Sequence, residues 1–116
     1  MTEITRLDQN ARRSRAVVHG STVYLAGQTA DDRRADIAGQ TRQVLAKIDE
    51  MLAAAGTERA KLLNVTIWLA YMADFAAMNA VYDAWVVPGH TPARCCGQVT
   101  LAAPDIRVEI MATAAR

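Results

Sequence analysis

The chain has few aromatic residues and almost no excess of charge in either direction. Aromatic side chains make up 5% of its 116 residues, and the formal net charge at pH 7 is +1. Proteins that bind single-stranded nucleic acid combine a basic groove with aromatic side chains on which the bases stack. Dedicated nucleic-acid binders also carry a strong basic excess. The composition therefore predicts no nucleic-acid partner and argues against a ribonuclease.

Cysteine is scarce too. The only two cysteines, Cys95 and Cys96, are adjacent, and neighbouring residues of a strand point to opposite faces of the sheet. They are poorly placed to bridge each other, and two ligands are too few for a structural zinc site. We therefore expect a cytoplasmic protein whose cysteines are reduced and which holds no metal.

Long apolar runs are missing as well. No stretch approaches the ~18 apolar residues that a membrane-spanning helix needs, and residues 1–10 lack the apolar core of a signal peptide. We expect no membrane partner and a cytoplasmic location. What is present is the composition of a folded domain, with 52% hydrophobic and 22% charged residues. Because the sequence contains no internal repeat and no linker, we expect one domain over residues 1–116.

The first half of the chain predicts a hairpin and a helix. Residues 17–19 and 22–26 have strand composition, and a glycine opens the two-residue turn between them. In the following segment Asp36 is a favourable N-cap, and apolar residues recur at helical spacing over residues 37–55. Gly56 then suits the left-handed conformation that ends many helices.

The second half predicts a central strand, a second helix and two final strands. Residues 62–70 are almost continuously apolar, Asp74 begins a helix that runs to residue 85, and strands 93–101 and 106–113 are joined by a turn. The predicted order is β-β-α-β-α-β-β, an α+β sheet with both helices on one face.

One face of this predicted sheet has no helix to cover it. Alternation along the central strand gives two sets of side chains on opposite faces. The sets are Val65, Ile67 and Leu69 on one face, and Asn64, Thr66, Trp68 and Ala70 on the other. Because both sets are too apolar for water, we expect the uncovered face to be buried in an oligomer.

Each of the two final strands carries one charged residue among apolar neighbours, Arg94 in the first and Glu109 in the second. We expect these two strands to pair as a hairpin, which brings an arginine fork and a carboxylate together on a rigid support. The guanidinium suits a substrate carboxylate, and the glutamate could manage a proton or orient a water. Two alternatives stay open, because Arg94 could be a structural arginine at a subunit interface and Glu109 could simply be its ion-pair partner.

Five segments resemble the RidA (YjgF-type) enamine/imine deaminase family, in the family's order and over nearly the whole chain. They are Ala26-Gly27-Gln28, the helix wording QTRQVLAKIDEMLAAAG, the run FAAMNAVYDAW, Pro92-Ala93-Arg94 and Val108-Glu109-Ile110. The resemblance implies a chorismate-mutase-like fold and a homotrimer with active sites in clefts between subunits. It also implies hydrolysis of 2-imino and enamine acids, of the 2-aminoacrylate or 2-iminopropanoate type, to 2-oxo acids and ammonia without a cofactor.

The resemblance also implies roles for particular residues. Arg94 matches the arginine that grips the substrate carboxylate, and Glu109 matches the glutamate associated with the catalytic water. Cys96 and Asn79 match residues beside the ligand, and Gln28 is expected to border the cleft. A covalent role for Cys96 is disfavoured, since imine hydrolysis needs no covalent step.

The chain departs from the archetype before its first predicted strand. The archetypal deaminases have Gly-Pro-Tyr there, with the tyrosine in the site, whereas residues 13–16 of this chain contain no tyrosine. We interpret the chain as a member of a sister branch, with the carboxylate grip retained. The predicted function is deamination of a small carboxylate-bearing imine. The alternative is a non-catalytic trimer that senses a small carboxylate metabolite in the same cleft.

Overall fold

The computed structural model describes residues 3–116, which form an α+β fold with a six-stranded mixed sheet and two helices on one of its faces. The strands are β1 (Ile4–Gln9), β2 (Ser14–His19), β3 (Thr22–Gln28), β4 (Leu62–Leu69), β5 (Ala93–Gln98) and β6 (Val108–Ala115). The helices are α1 (Ile37–Ala54) and α2 (Phe75–Trp85), and short 3-10 turns at Arg59–Lys61 and Met72–Asp74 precede β4 and α2.

The strand order across the sheet is β1-β2-β3-β6-β4-β5. The predicted β-β-α-β-α-β-β order is confirmed, with one additional strand, β1, before it. That strand is exposed along most of its length, so it lacks the apolar alternation by which a strand is detected. It is placed by its antiparallel pairing with β2.

The two C-terminal strands do not pair, and the prediction that Arg94 and Glu109 lie on paired strands is wrong. β5 runs parallel to β4 at the edge of the sheet, whereas β6 lies between β3 and β4. The cause is α2, which makes β4-α2-β5 a crossover unit and so sets β5 parallel to β4. The predicted short turn is part of a longer connection over residues 99–107.

Both ends of α1 lie where the sequence predicts them. The Asp36 carboxylate accepts a hydrogen bond from the Gly39 backbone N–H at 2.8 Å, which satisfies one of the unpaired donors of the first turn. After the helix Gly56 has a φ of 81°, the left-handed conformation expected for a glycine there. Asp74 is the N-cap residue of α2, but its carboxylate makes no capping hydrogen bond there. The carboxylate accepts from the Arg107 side chain at 2.8 and 3.2 Å instead.

The core lies between the sheet and the two helices. Val65, Ile67 and Leu69 of β4 are fully buried on this side, while Asn64 is exposed and Trp68 half-buried on the other. The alternation predicted for this strand is therefore confirmed, and the second face of the sheet is open in the single chain. Among the described residues, no helix combines the length and apolar character needed to cross a membrane.

Candidate functional site

Arg94 lies on the helix-covered side of the sheet, next to α2. Its Cα pairs with that of Val65 across the parallel β4–β5 ladder, and laterally paired residues point to the same face. Its NH1 donates a hydrogen bond to Asn79 Oδ1 at 2.8 Å, and its Cζ lies over the Tyr82 ring, 4.8 Å from the centroid. The side chain is exposed at the sheet edge, so one α2 surface holds it where a ligand can reach it.

No acidic side chain neutralises Arg94 within residues 3–116. The ion pairs of the described chain all involve other basic groups. The amide oxygen of Asn79 takes one guanidinium hydrogen and leaves the positive charge uncompensated. A planar cation with free N–H groups is suited to binding a carboxylate through two parallel hydrogen bonds.

Cys96 follows Arg94 on the same face, because its Cα pairs with that of the buried Ile67. It packs against the core, and this burial raises the pKa of the thiol above its ordinary value, against a smaller opposing effect of the Arg94 charge. The thiol is thus neutral at pH 7, and the thiolate that a nucleophile requires is not formed. Cys95 points to the open face, with its Sγ 3.8 Å from Thr66 Oγ1.

Glu109 lies on the open face, on the other side of the sheet from Arg94. Its Cα pairs with that of Trp68, whose side chain is on the face opposite to Val65. Its carboxyl group rests against Gly27, where an added Cβ would overlap the Oε2 atom. Because a layer of backbone separates Glu109 from Arg94, one chain alone cannot bring both side chains to the same small substrate.

Gln28 lies far from Arg94. It is buried on β3, donates from Nε2 to the Ala26 carbonyl at 2.9 Å and accepts from Arg15 NH2 at 3.3 Å. Strands β6 and β4 lie between β3 and β5, which puts about 14 Å between the two backbones at ~4.8 Å per strand. A ligand-binding role for Gln28 stays a prediction, and in this chain the side chain is engaged in local hydrogen bonds.

Tyr82 also lies at the site, although the sequence does not single it out, since its helical spacing is that of a core residue of α2. It follows Asn79 by three positions, and residues so spaced are neighbours on a helix surface. The signal for Tyr82 in the sequence is its spacing from Asn79, on a helix that leads into the strand of Arg94.

A separate groove of about 640 Å³ opens between α1 and α2, and alanines from both helices form much of its lining. Of its charged residues, Asp49 and Arg59 are paired with each other at 3.0 Å. Arg94, Asn79 and Glu109 are not part of its lining, so the groove is distinct from the candidate site. Within residues 3–116 no cluster of three or more His, Cys, Asp or Glu side chains is arranged to hold a metal.

Comparison with known proteins gives concordant matches over most of the chain. Residues 3–116 match the family described as Endoribonuclease L-PSP. The chain is 45% identical over 112 residues to the RutC family protein YoaB of Escherichia coli, covering 97% of both chains. A crystal structure of a YjgF family member from Neisseria meningitidis superposes with a TM-score of 0.95 at 41% identity, covering 98% of this chain and 95% of that one. A Salmonella typhimurium protein named 2-iminobutanoate/2-iminopropanoate deaminase is 32% identical over 104 residues, covering 84% of this chain and 81% of its own.

Proposed function

Because the chain belongs to the Endoribonuclease L-PSP family, which includes the YjgF and RidA proteins, we propose that it hydrolyses small 2-imino acids to 2-oxo acids and ammonia. The observation that carries this proposal is the exposed Arg94 guanidinium, which Asn79 and Tyr82 hold and no acidic group of the described chain neutralises. The name of the Salmonella typhimurium relative, a 2-iminobutanoate/2-iminopropanoate deaminase, supports the same chemistry.

In this mechanism Arg94 binds the substrate carboxylate and thereby fixes the position of the adjacent imine carbon. Water adds to that carbon, a proton is transferred to the nitrogen, and ammonia leaves as the carbonyl forms. Imines hydrolyse without a catalyst, so positioning and proton transfer are sufficient for a useful acceleration. Glu109 is the group proposed to hold the water and accept its proton.

The mechanism requires a second copy of the chain, because Arg94 and Glu109 lie on opposite faces of the sheet. We propose a homotrimer in which the open face of one copy meets the β5 edge of the next. This arrangement would bring Glu109 of one copy to Arg94 of its neighbour and would also cover the open face. Half-buried Trp68 on that face is consistent with such packing.

The direct test is ammonia release from 2-aminoacrylate or 2-iminobutanoate generated in situ, comparing the wild type with Arg94→Ala and Arg94→Lys. We expect Arg94→Ala to lower kcat/KM by about 10²-fold or more, since the substrate carboxylate, enclosed in the proposed cleft between subunits, loses its charged partner. Arg94→Lys is also expected to be poor, because an ammonium group cannot reproduce two parallel hydrogen bonds. Near-normal turnover by Arg94→Ala, in a protein of unchanged assembly, would show that the site lies elsewhere.

A second candidate is a trimeric binder that senses a small carboxylate metabolite. It is favoured by the names of the relatives that share 41–45% identity with this chain, which state the family and no activity. The same measurements separate the two functions. A sensor would bind a 2-oxo acid through Arg94 and release no ammonia from any imine of the panel.

A further inference from the structure

The Arg94 guanidinium, on which the proposed function depends, has its Cζ over the ring of Tyr82. The Arg94 side chain is long, exposed and carried on an edge strand, so without support it would sample many rotamers and lose that freedom on binding a ligand. We propose that Tyr82 is a positioning residue that orients the Arg94 guanidinium for carboxylate binding. This inference rests on the proposed function and extends it by one residue.

Two contacts together define the orientation. The Arg94 Cζ lies 4.8 Å from the centroid of the Tyr82 ring, whose electron-rich face attracts the cation. The hydrogen bond from NH1 to Asn79 Oδ1 at 2.8 Å limits rotation of the group on that face. With Cζ held over the ring and NH1 engaged, Nε and NH2 are left to meet a carboxylate, since within residues 3–116 the Arg94 side chain donates only to Asn79.

Tyr82 is itself held firmly. The residue is 5% exposed, and its ring packs against the Trp85 ring with centroids 5.9 Å apart and planes at 46°. The Trp85 indole N–H donates to Asp49 Oδ2 at 3.0 Å, and Asp49 also pairs with Arg59 at 3.0 Å. Since Asp49 belongs to α1, the first helix fixes the aromatic pair of the second.

The ring, and not the hydroxyl group, performs this task. The Arg94 Cζ lies over the ring, and burial raises the pKa of the Tyr82 hydroxyl, so the hydroxyl carries no charge to attract the cation. Because the contact is with the ring, removal of the hydroxyl is expected to matter little, whereas removal of the negative electrostatic potential of the ring face is expected to weaken carboxylate binding.

The experiment alters the electrostatics of the ring without removing it. Tyr82→Phe and Tyr82→pentafluorophenylalanine retain a six-membered aromatic ring, but the fluorinated ring repels a cation at its face. Binding of 2-oxobutanoate is titrated calorimetrically for both. We expect Tyr82→Phe to bind like the wild type and the fluorinated variant to bind about 3- to 30-fold more weakly, the range that corresponds to a cation–π contact. The same two replacements at Tyr71, which is 55% exposed, are the matched control.

A second measurement follows Arg94 without a ligand. In the wild type and Tyr82→Phe, stacking on the ring should shift the Arg94 Nε–H proton resonance upfield, and the fluorinated variant should lose this shift. Equal 2-oxobutanoate affinity in Tyr82→Phe and the fluorinated variant would overturn the positioning role. If the wild-type protein bound no 2-oxobutanoate, the proposed function would fail instead, and the Arg94 resonance alone would then decide whether Tyr82 orients the guanidinium.

Discussion

The carboxyl group of Glu109 sits over the bare backbone of Gly27, and this contact requires the absence of a side chain there. Arg94 depends on its neighbours in the opposite way, since the large ring of Tyr82 and the amide of Asn79 hold it from α2. Each of the two charged groups of the proposed site therefore has its place set by an uncharged residue. These supporting residues are as necessary to the geometry as the charged groups themselves.

At the residue scale, Glu109→Gln separates catalysis from binding. The substitution keeps the shape of the side chain and removes its charge and basicity, while Arg94 loses no contact. We expect the affinity for 2-oxobutanoate to survive and turnover of imines to fall by about 10²-fold or more, the usual scale for a lost general base. Affinity and ammonia release are to be measured on the same preparation.

The opposite result has a clear meaning. If Glu109 only aligned Arg94 across the subunit interface, affinity and turnover would fall together, because a misaligned guanidinium fails in both tasks. Parallel losses would therefore remove Glu109 from the catalytic step.

The family resemblance predicts that Arg94, Cys96 and Asn79 all lie beside the ligand, and their ligand-binding roles stay predictions. The structure places Asn79 against Arg94 and puts Cys96 on the same strand face as Arg94. The relation between Arg94 and Glu109 was not predictable in the same way. Alternation assigns faces within one strand, whereas the relation between two strands depends on which strands pair and in which register.

At the scale of elements, the buried Gln40 side chain of α1 connects two loops through hydrogen bonds. Its Nε2 lies 3.0–3.2 Å from the carbonyl oxygens of Arg33, Ala35 and Asp105, and its Oε1 accepts from the Arg107 N–H at 2.9 Å. Through Arg107, which pairs with Asp74, the start of α2 joins the same cluster. The segment that leads into β6, and so the position of Glu109, is fixed to both helices.

Replacement of Gln40 by leucine should therefore destabilise the fold. The variant would remove four part-buried hydrogen bonds to backbone groups, at about 1–3 kcal/mol for each group left unsatisfied, and we expect a loss of about 3 kcal/mol in the free energy of unfolding. Urea denaturation measures it. Gln43→Leu on the same helix is the control, because the Gln43 contacts with Asp32 are exposed, and a loss below about 1 kcal/mol is expected there. Equal losses in the two variants would contradict the role of Gln40.

Elements with a strong local sequence pattern were predictable. The N-cap Asp36 and the left-handed Gly56 mark the two ends of α1 as expected, and the predicted alternation of β4 agrees with the observed burial of its side chains. The exposed strand β1 and the parallel placement of β5 depend on partners distant in sequence. The position of each of these strands is set by the strand with which it pairs, and the local composition of the strand does not reveal that partner.

At the scale of the whole molecule, the sheet divides the functional groups between its two sides. Arg94 and Cys96 lie on the face that the helices cover. Glu109, Cys95 and Trp68 lie on the open face. A chain so divided carries half of each of two proposed sites. Its activity would then be a property of the assembly.

Mixing two inactive variants tests this division. Arg94→Ala and Glu109→Gln subunits, unfolded together and refolded at equal amounts, should give some clefts with an intact Arg94 from one copy and an intact Glu109 from the next. Random assembly in a closed ring restores about one site in four, so ammonia release should recover to about a quarter of the wild-type rate. The separately refolded variants are the controls. An inactive mixture, shown by sedimentation to contain both chains in one assembly, would contradict a shared site.

The two tryptophans lie on opposite sides of this division, and refolding would therefore have two distinguishable stages. Trp85 is packed against Tyr82 within the helix layer, so its fluorescence reports the folding of a single chain at a rate independent of protein concentration. Trp68 lies over Gly97 on the open face and is half-buried in the single chain, so its environment changes a second time when another chain covers that face. The proposed activity would return with this second change of Trp68 fluorescence, later than the Trp85 signal and faster in more concentrated solutions.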